Sequence, residues 1–186
     1  MINDSEVLLL ASIATTMQLD YVDADDIWVG SPFAWIKTRP SRQIGAIGER
    51  IISGWLAAKG FNVLRSPDTE ADRIIEKERV EIKFSTLWKN GTYTFQQIRN
   101  QNYKFVICLG ISPFNAHCWV IDKNILMEQW GKTGGIQPQH GGRVGTDTAW
   151  FSVIPSFEQT WLQLCGGSLY KAVEKISELT GYYPEI

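Results

Sequence analysis

The residues that first suggest chemistry are Glu81 and Lys83, in the run Val80-Glu81-Ile82-Lys83-Phe84-Ser85. Read as a strand, alternation sends Val80, Ile82 and Phe84 toward a core and leaves Glu81, Lys83 and Ser85 on the opposite face. A carboxylate and an ammonium two residues apart on a rigid strand can hold a divalent cation and a water against one phosphate. A solvated strand face with alternating charge has the same pattern, so the neighbourhood decides between the two. Upstream lies Ala71-Asp72-Arg73-Ile74-Ile75-Glu76-Lys77-Glu78-Arg79. If residues 72–75 and 78–81 form a hairpin about Glu76-Lys77, paired residue numbers add to 153 and Asp72 stands opposite Glu81. Opposed residues have Cβ atoms about 4.5–5.5 Å apart, and like charges there are destabilising. A bound cation removes that penalty, and Mg²⁺ takes hard oxygen ligands at about 2.0–2.1 Å, commonly from one or two carboxylates. Glu76-Lys77 is not a favoured turn pair, so a longer turn with a one-residue offset also fits. A third acid, Glu49, falls beside the apolar stripe of a helix, where it is either an ordinary surface residue or a further carboxylate at the same place.

These residues need elements to position them. The apolar spacing predicts a helix over residues 5–19, with Ser5 as N-cap and Val7, Leu10, Ala11 and Ala14 on one side. Residues 20–40 read as irregular, with a short helix at 33–36. A long helix over 41–59 gathers Ile44, Gly48, Ile51, Ile52 and Trp55 on one face and stops at Gly60. Strands are expected at 61–65, 71–76 and 79–85, a helical turn at 94–99, and two buried strands at 103–110 and 117–121. A helix at 124–130, a Gly-rich loop at 131–148, a strand at 150–154 and helices at 157–164 and 168–180 complete the chain. The last helix carries Leu169, Ala172, Val173, Ile176 and Leu179 as its stripe. The sum is a mixed sheet flanked by helices, of the α/β or α+β class.

In the order helix, strand, strand, the residues Glu49, Asp72 and Glu81-Ile82-Lys83 resemble the PD-(D/E)xK nuclease superfamily, to which many restriction endonucleases belong. Residues 93–99 and 103–107 resemble the helix and strand that follow the catalytic strand there, so the likeness spans about residues 41–122. The literal Pro-Asp is Pro67-Asp68, whereas Asp72 is better placed on a strand; Asp72 is assigned and Asp68 kept as the alternative. The resemblance implies a single restriction-endonuclease-like domain over 1–186, with an N-terminal helical layer at 1–40, a catalytic core at 41–122 and C-terminal helices at 123–186. It implies Mg²⁺ at Asp72, Glu81 and Glu49, with Lys83 orienting or deprotonating the attacking water. Length and likeness go further, toward the small catalytic subunit of a heterodimeric type IIS restriction endonuclease, whose larger partner recognises DNA and nicks one strand. A small homodimeric restriction enzyme and a non-catalytic, DNA-associated, partner-binding subunit are the alternatives.

Charge distribution bears on that partner. A net charge of -2 over 186 residues would seem to disfavour DNA. Residues 1–36, however, hold six acids and no Lys or Arg, residues 37–104 carry a local +6, and residues 105–186 carry -2. Screening over roughly 8–10 Å keeps distant acids from cancelling a basic segment. Arg65, Arg73, Lys77, Arg79, Lys89, Arg99 and Lys104 are candidate backbone contacts, and Gln96 or Gln97 could line the site. The acidic segment, with Trp28, Phe33 and Trp35 reading as exposed, is either a protein-docking surface or a layer packed on the core. Cys108, Cys118 and Cys165 have no CxxC spacing, which argues against a disulfide scaffold or structural zinc. His140 has no companion set of an HNH-type site and reads as a loop histidine. No apolar run approaches a membrane span and no basic stretch precedes residues 7–11, so a cytoplasmic setting is expected.

Overall fold

A computed structural model describes residues 5–18, 26–140 and 147–185. Asp4, Asp20, Asp23 and Asp25 of the acidic segment, and residues 141–146 of the Gly-rich loop, lie outside the described residues. The helices are α1 (Ser5–Gln18), α2 (Ala34–Lys37), α3 (Ser41–Ala58), α4 (Lys123–Glu128) and α5 (Leu169–Thr180). The strands are β1 (Val63–Arg65), β2 (Arg73–Ile75), β3 (Glu78–Thr86), β4 (Tyr93–Ile98), β5 (Phe105–Ile111), β6 (Ala116–Asp122), β7 (Gln137–Pro138) and β8 (Ala149–Val153).

Five strands form a mixed sheet in the order β1-β2-β3-β5-β6, and β4, β8 and β7 form a second, antiparallel sheet. β3 and β5 run parallel and the other neighbours antiparallel. Every residue of β5 is buried, as a central strand covered on both faces requires. One face, through Phe105, Ile107 and Leu109, packs with Ile52 and Leu56 of α3 and Ala172 and Ile176 of α5. The other, through Val106 and Cys108, packs with Tyr93, Phe95 and Phe151 of the second sheet. The architecture is therefore α+β, a mixed sheet flanked by helices, with a small second sheet closing its far face.

Two glycines permit these close approaches. A Cβ on Gly48 of α3 would lie 2.2 Å from the Phe84 Cβ of β3, and one on Gly110 of β5 would lie 2.6 Å from the Tyr93 ring. Without side chains at these positions, α3 sits directly on β3 and β4 directly on β5.

Several expectations need correction. Residues 94–99 are not a helical turn: residues 94–98 belong to strand β4. The chain thus passes from β3 to its parallel neighbour β5 through a strand of the second sheet, where the nuclease resemblance implied a helix. Residues 157–164 contain only a 3-10 turn at Thr160–Leu162, because Phe157 bridges back to Ile154 and Gln159 is extended, which delays any helical start. Trp28 is a core residue at 2% exposure, whereas Trp35 is exposed. Helix α1 forms as expected, yet Val7, Leu8, Leu9, Leu10 and Ile13 are all exposed. Among the described residues no helix is long and apolar enough to cross a membrane.

Candidate active site

The hairpin register is the one the sequence arithmetic gave. Arg73 pairs with Val80, Ile74 with Arg79 and Ile75 with Glu78 around the two-residue turn Glu76-Lys77. Glu76 has φ +58, a left-handed value that side chains normally resist. Two bonds to Asn62 hold it there: its N–H donates to the Asn62 carbonyl at 2.9 Å, and its carboxylate accepts from the Asn62 N–H at 2.8 Å. The unfavourable turn is thereby fixed by β1, and with it the register.

β2 begins at Arg73, so Asp72 sits at the point where the chain leaves β3 and exposes that strand's edge. The Asp72 carboxylate replaces the missing neighbour by accepting the Ile82 N–H at 2.8 Å. Within a strand, a residue's N–H and C=O point to the same side, so the Ile82 carbonyl also faces this uncovered edge. Asp72 is placed against Glu81. Asp68, the alternative, is exposed and turned away, ion-paired with Arg79 and accepting the Glu70 N–H at 2.9 Å.

Glu81 and Lys83 do not form a solvated surface pair. Glu81 is only 6% exposed and its carboxylate lies 2.6 Å from the Lys83 ammonium. Their strand face looks toward the second sheet, which covers it. Burial pushes the Glu81 carboxyl above the ordinary carboxylate range, the Lys83 charge opposes this, and the contacting Asp72 carboxyl pushes it up further. Glu49 approaches from α3 on the other side of β3. Its carboxylate pairs with Arg73 at 3.2 Å, and Arg73 also donates to the Ser53 hydroxyl at 2.9 Å and to the Asp72 carbonyl at 2.7 Å. Burial first, then the Asp72 charge, raises the Glu49 carboxyl above its usual range, against the cations Arg73, Lys83 and Arg65.

A cleft of about 490 Å³ opens at this corner, lined by Glu49, Asp72, Lys83 and Ser85 together with Trp88 and Gln96. Glu49, Asp72, Glu81 and Lys83 are thus gathered at one edge of β3, although Glu81 lies beneath the cleft rather than on its wall. Sequence reasoning missed the far wall, Trp88 and Thr94. The Thr94 N–H donates to the Ser85 hydroxyl at 3.0 Å and ties that wall to the site; the alternation of Tyr93 and Phe95 with Thr92 and Thr94 was its available signal. Of the candidate DNA-contacting cations, Arg73, Arg79 and Lys104 are engaged with Glu49, Asp68 and Glu78 respectively. His140 stays in its loop, its N–H bonded to Asp147 at 2.8 Å.

Among the described residues, no three side chains of His, Cys, Asp or Glu converge closely enough to hold an ion by themselves. Two contacting carboxyls and an edge carbonyl are the kind of hard-oxygen set that Mg²⁺ accepts, since it keeps several waters of its own. The corner at Asp72 and Glu81, with the Lys83 ammonium 2.6 Å from Glu81, supplies oxygens of that kind.

No family model matches the chain, and no curated protein matches it. Among solved structures, a bacterial homing endonuclease, I-Ssp6803I, is similar over 77% of this chain and 96% of that one, at 13% identity and a TM-score of 0.49.

Proposed function

We propose that the chain is a Mg²⁺-dependent DNA endonuclease with a PD-(D/E)xK site, acting as the strand-cleaving small subunit of a heterodimeric type IIS restriction endonuclease. The observation that carries the reading is the buried Glu81 carboxylate 2.6 Å from Lys83, with the Asp72 carboxylate bonded to the Ile82 N–H beside it, at the uncovered edge of β3 next to a cleft. A surface ion pair needs neither the burial nor the second acid.

Asp72, Glu81 and the Ile82 carbonyl would hold the ion, which when bound polarises the scissile phosphate and lowers the pKa of water. Lys83, held by Glu81, would orient the attacking water and, as an ammonium, offset charge developing on the phosphate. Glu49, whose carboxyl is raised, would hold a water or a second ion on the cleft's other wall. Arg73 bridges Glu49 and the Asp72 backbone, so it fixes the distance between the two walls.

A partner would help hold the DNA, because three cations of the basic segment, Arg73, Arg79 and Lys104, are engaged in ion pairs, which weakens the chain's own hold on free DNA. Nicking of supercoiled plasmid in Mg²⁺ by wild type, Asp72→Ala and Glu81→Ala, alone and with a candidate large subunit, tests the proposal. Cleavage by wild type that both variants lose supports it; persistent cleavage by both variants overturns the site. Cutting at a specific site by the chain alone as a dimer overturns the subunit assignment and leaves the nuclease.

A further inference from the structure

The far wall of the cleft carries a feature that hydrolysis does not use. In β4, Phe95 pairs with Phe151 and Ile98 with Ala149, so one extra residue is inserted and both Gln96 and Gln97 oppose Trp150. This bulge sends two consecutive side chains outward: Gln96 and Gln97 are exposed between the buried Phe95 and Ile98. Gln97 has φ +56, unfavourable for any residue but glycine. Among the described residues, neither glutamine amide makes a hydrogen bond. Bulges of this kind re-aim side chains beside active sites, and a strained backbone kept at a cleft wall is a sign of function.

The cleft also continues past this wall. Trp88, Thr94 and Gln96 line both it and a second depression of about 460 Å³, whose further lining includes Asn90, Gln139 and Trp150. The Asn90 carbonyl oxygen already accepts from the Thr92 N–H at 3.2 Å and the Thr92 hydroxyl at 2.8 Å, and the Gln139 oxygen accepts from the Thr148 hydroxyl. Their amide NH₂ groups remain. The groove leading away from Lys83 is therefore paved with side-chain amides and two exposed indoles, and it lies on a two- to three-stranded antiparallel ribbon.

We infer that this ribbon reads base edges in the major groove of duplex DNA beside the phosphate held at Lys83, with Gln96 and Gln97 as the specificity-determining residues. A carboxamide offers one donor and one acceptor side by side, the pattern that matches adenine N7 and N6, and an antiparallel ribbon fits the width of the major groove. Trp88 and Trp150 supply apolar faces for thymine methyl groups and sugars. The inference rests on the nuclease reading for its substrate, and it gives the chain a share of sequence recognition that the subunit assignment alone leaves to the partner.

The test is selection by the full chain, at high protein concentration and low salt so that weak binding is still read, from a pool of randomised DNA duplexes in Ca²⁺, scored as bound sequence without hydrolysis. Wild type is expected to enrich adenine at a fixed position. Gln96→Ala is expected to lower that preference about ten- to a hundredfold, and Gln96→Glu to move it toward cytosine. Gln96 is exposed, so these variants fold, and unchanged thermal midpoints verify it. Absence of any preference in wild type, a preference that Gln96→Ala retains, or equal binding of single strands with only Trp88→Ala deleterious would each overturn the inference. Because binding and plasmid nicking are read separately, a preference without cleavage sinks the nuclease reading alone, and cleavage without a preference sinks this inference alone.

Discussion

Two glycines of α3, Gly48 and Gly54, make opposite demands on the same substitution. Alanine is favoured over glycine by about 1 kcal/mol within a helix, so propensity alone predicts that Gly48→Ala stabilises. The structure predicts the reverse. The added Cβ would lie 2.2, 2.4 and 2.8 Å from Cβ, Cγ and Cδ2 of Phe84, where ordinary contact is about 3.5–4.0 Å. Phe84 cannot swing its own Cβ aside, so α3 must retreat from β3 by about 1.5 Å to restore that contact. With a Cβ as the obstacle the strain falls in the upper part of the usual range, about 2–3 kcal/mol; set against the propensity gain, the net loss is about 1–2 kcal/mol. At about 2–4 °C per kcal/mol for a chain of this size, the midpoint falls by roughly 2–8 °C. Gly54→Ala meets nothing within 4 Å and is expected to raise the midpoint by about 2–4 °C. The same retreat carries Glu49 away from Asp72 and Lys83, and a misplacement of about 1 Å can cost 10²-fold in rate. Differential scanning calorimetry of both variants, with plasmid nicking alongside, decides the matter. A Gly48→Ala protein as stable as wild type, or one that loses stability but cleaves normally, would refute the reasoning.

Further outcomes follow from the same geometry. Lys83→Met leaves Glu81 buried and unpaired, and urea titration should show a loss of about 3–5 kcal/mol, whereas the double variant Glu81→Gln/Lys83→Met should recover most of it. Glu49 and Glu81 both have raised carboxyls, so the native state binds more protons than the unfolded one. The stability these two groups contribute to the metal-free protein should therefore be fully present below about pH 4.5, their ordinary value, and be lost as pH rises through their raised values, a fall that Glu49→Gln/Glu81→Gln abolishes. Midpoints measured from pH 4 to 8 test that sign. Mg²⁺ relieves this penalty by competing with protons, so its stabilisation should be larger at pH 7.5 than at pH 5 and absent in Asp72→Asn. Gly110→Ala, whose Cβ would enter the Tyr93 ring, should separate the two sheets and cost about 1–3 kcal/mol by urea titration.

Local periodicity made most of the fold legible. The 153 register followed from the residue pattern, and the structure adds why an unfavourable turn is kept: Asn62, fourteen residues upstream, holds Glu76 at both ends. Residues 94–99 misled because a bulge changes the strand period. The buried residues Tyr93, Phe95 and Ile98 are spaced by two and then three, and Phe95 with Ile98 alone imitates a helix face. The burial of Glu81 was hidden for a different reason. Its cover comes from the second sheet, assembled from β4 and from β8 some fifty residues later, and no local pattern encodes that pairing. Trp28 likewise sits in an acidic, irregular segment whose polarity gave no hint that its indole enters the core. Glu49, Asp72, Glu81 and Lys83 could be named from residue type and order, but the distances that make them one site needed the fold.

The central claim is that the Asp72–Glu81 corner binds a divalent cation. Anomalous scattering from crystals soaked in Mn²⁺ tests it most directly. The account predicts a peak within coordination distance of the Asp72 and Glu81 carboxylates and the Ile82 carbonyl, absent in Asp72→Asn crystals. Crystals soaked to saturation that show no peak there, or a peak that survives Asp72→Asn, would contradict it.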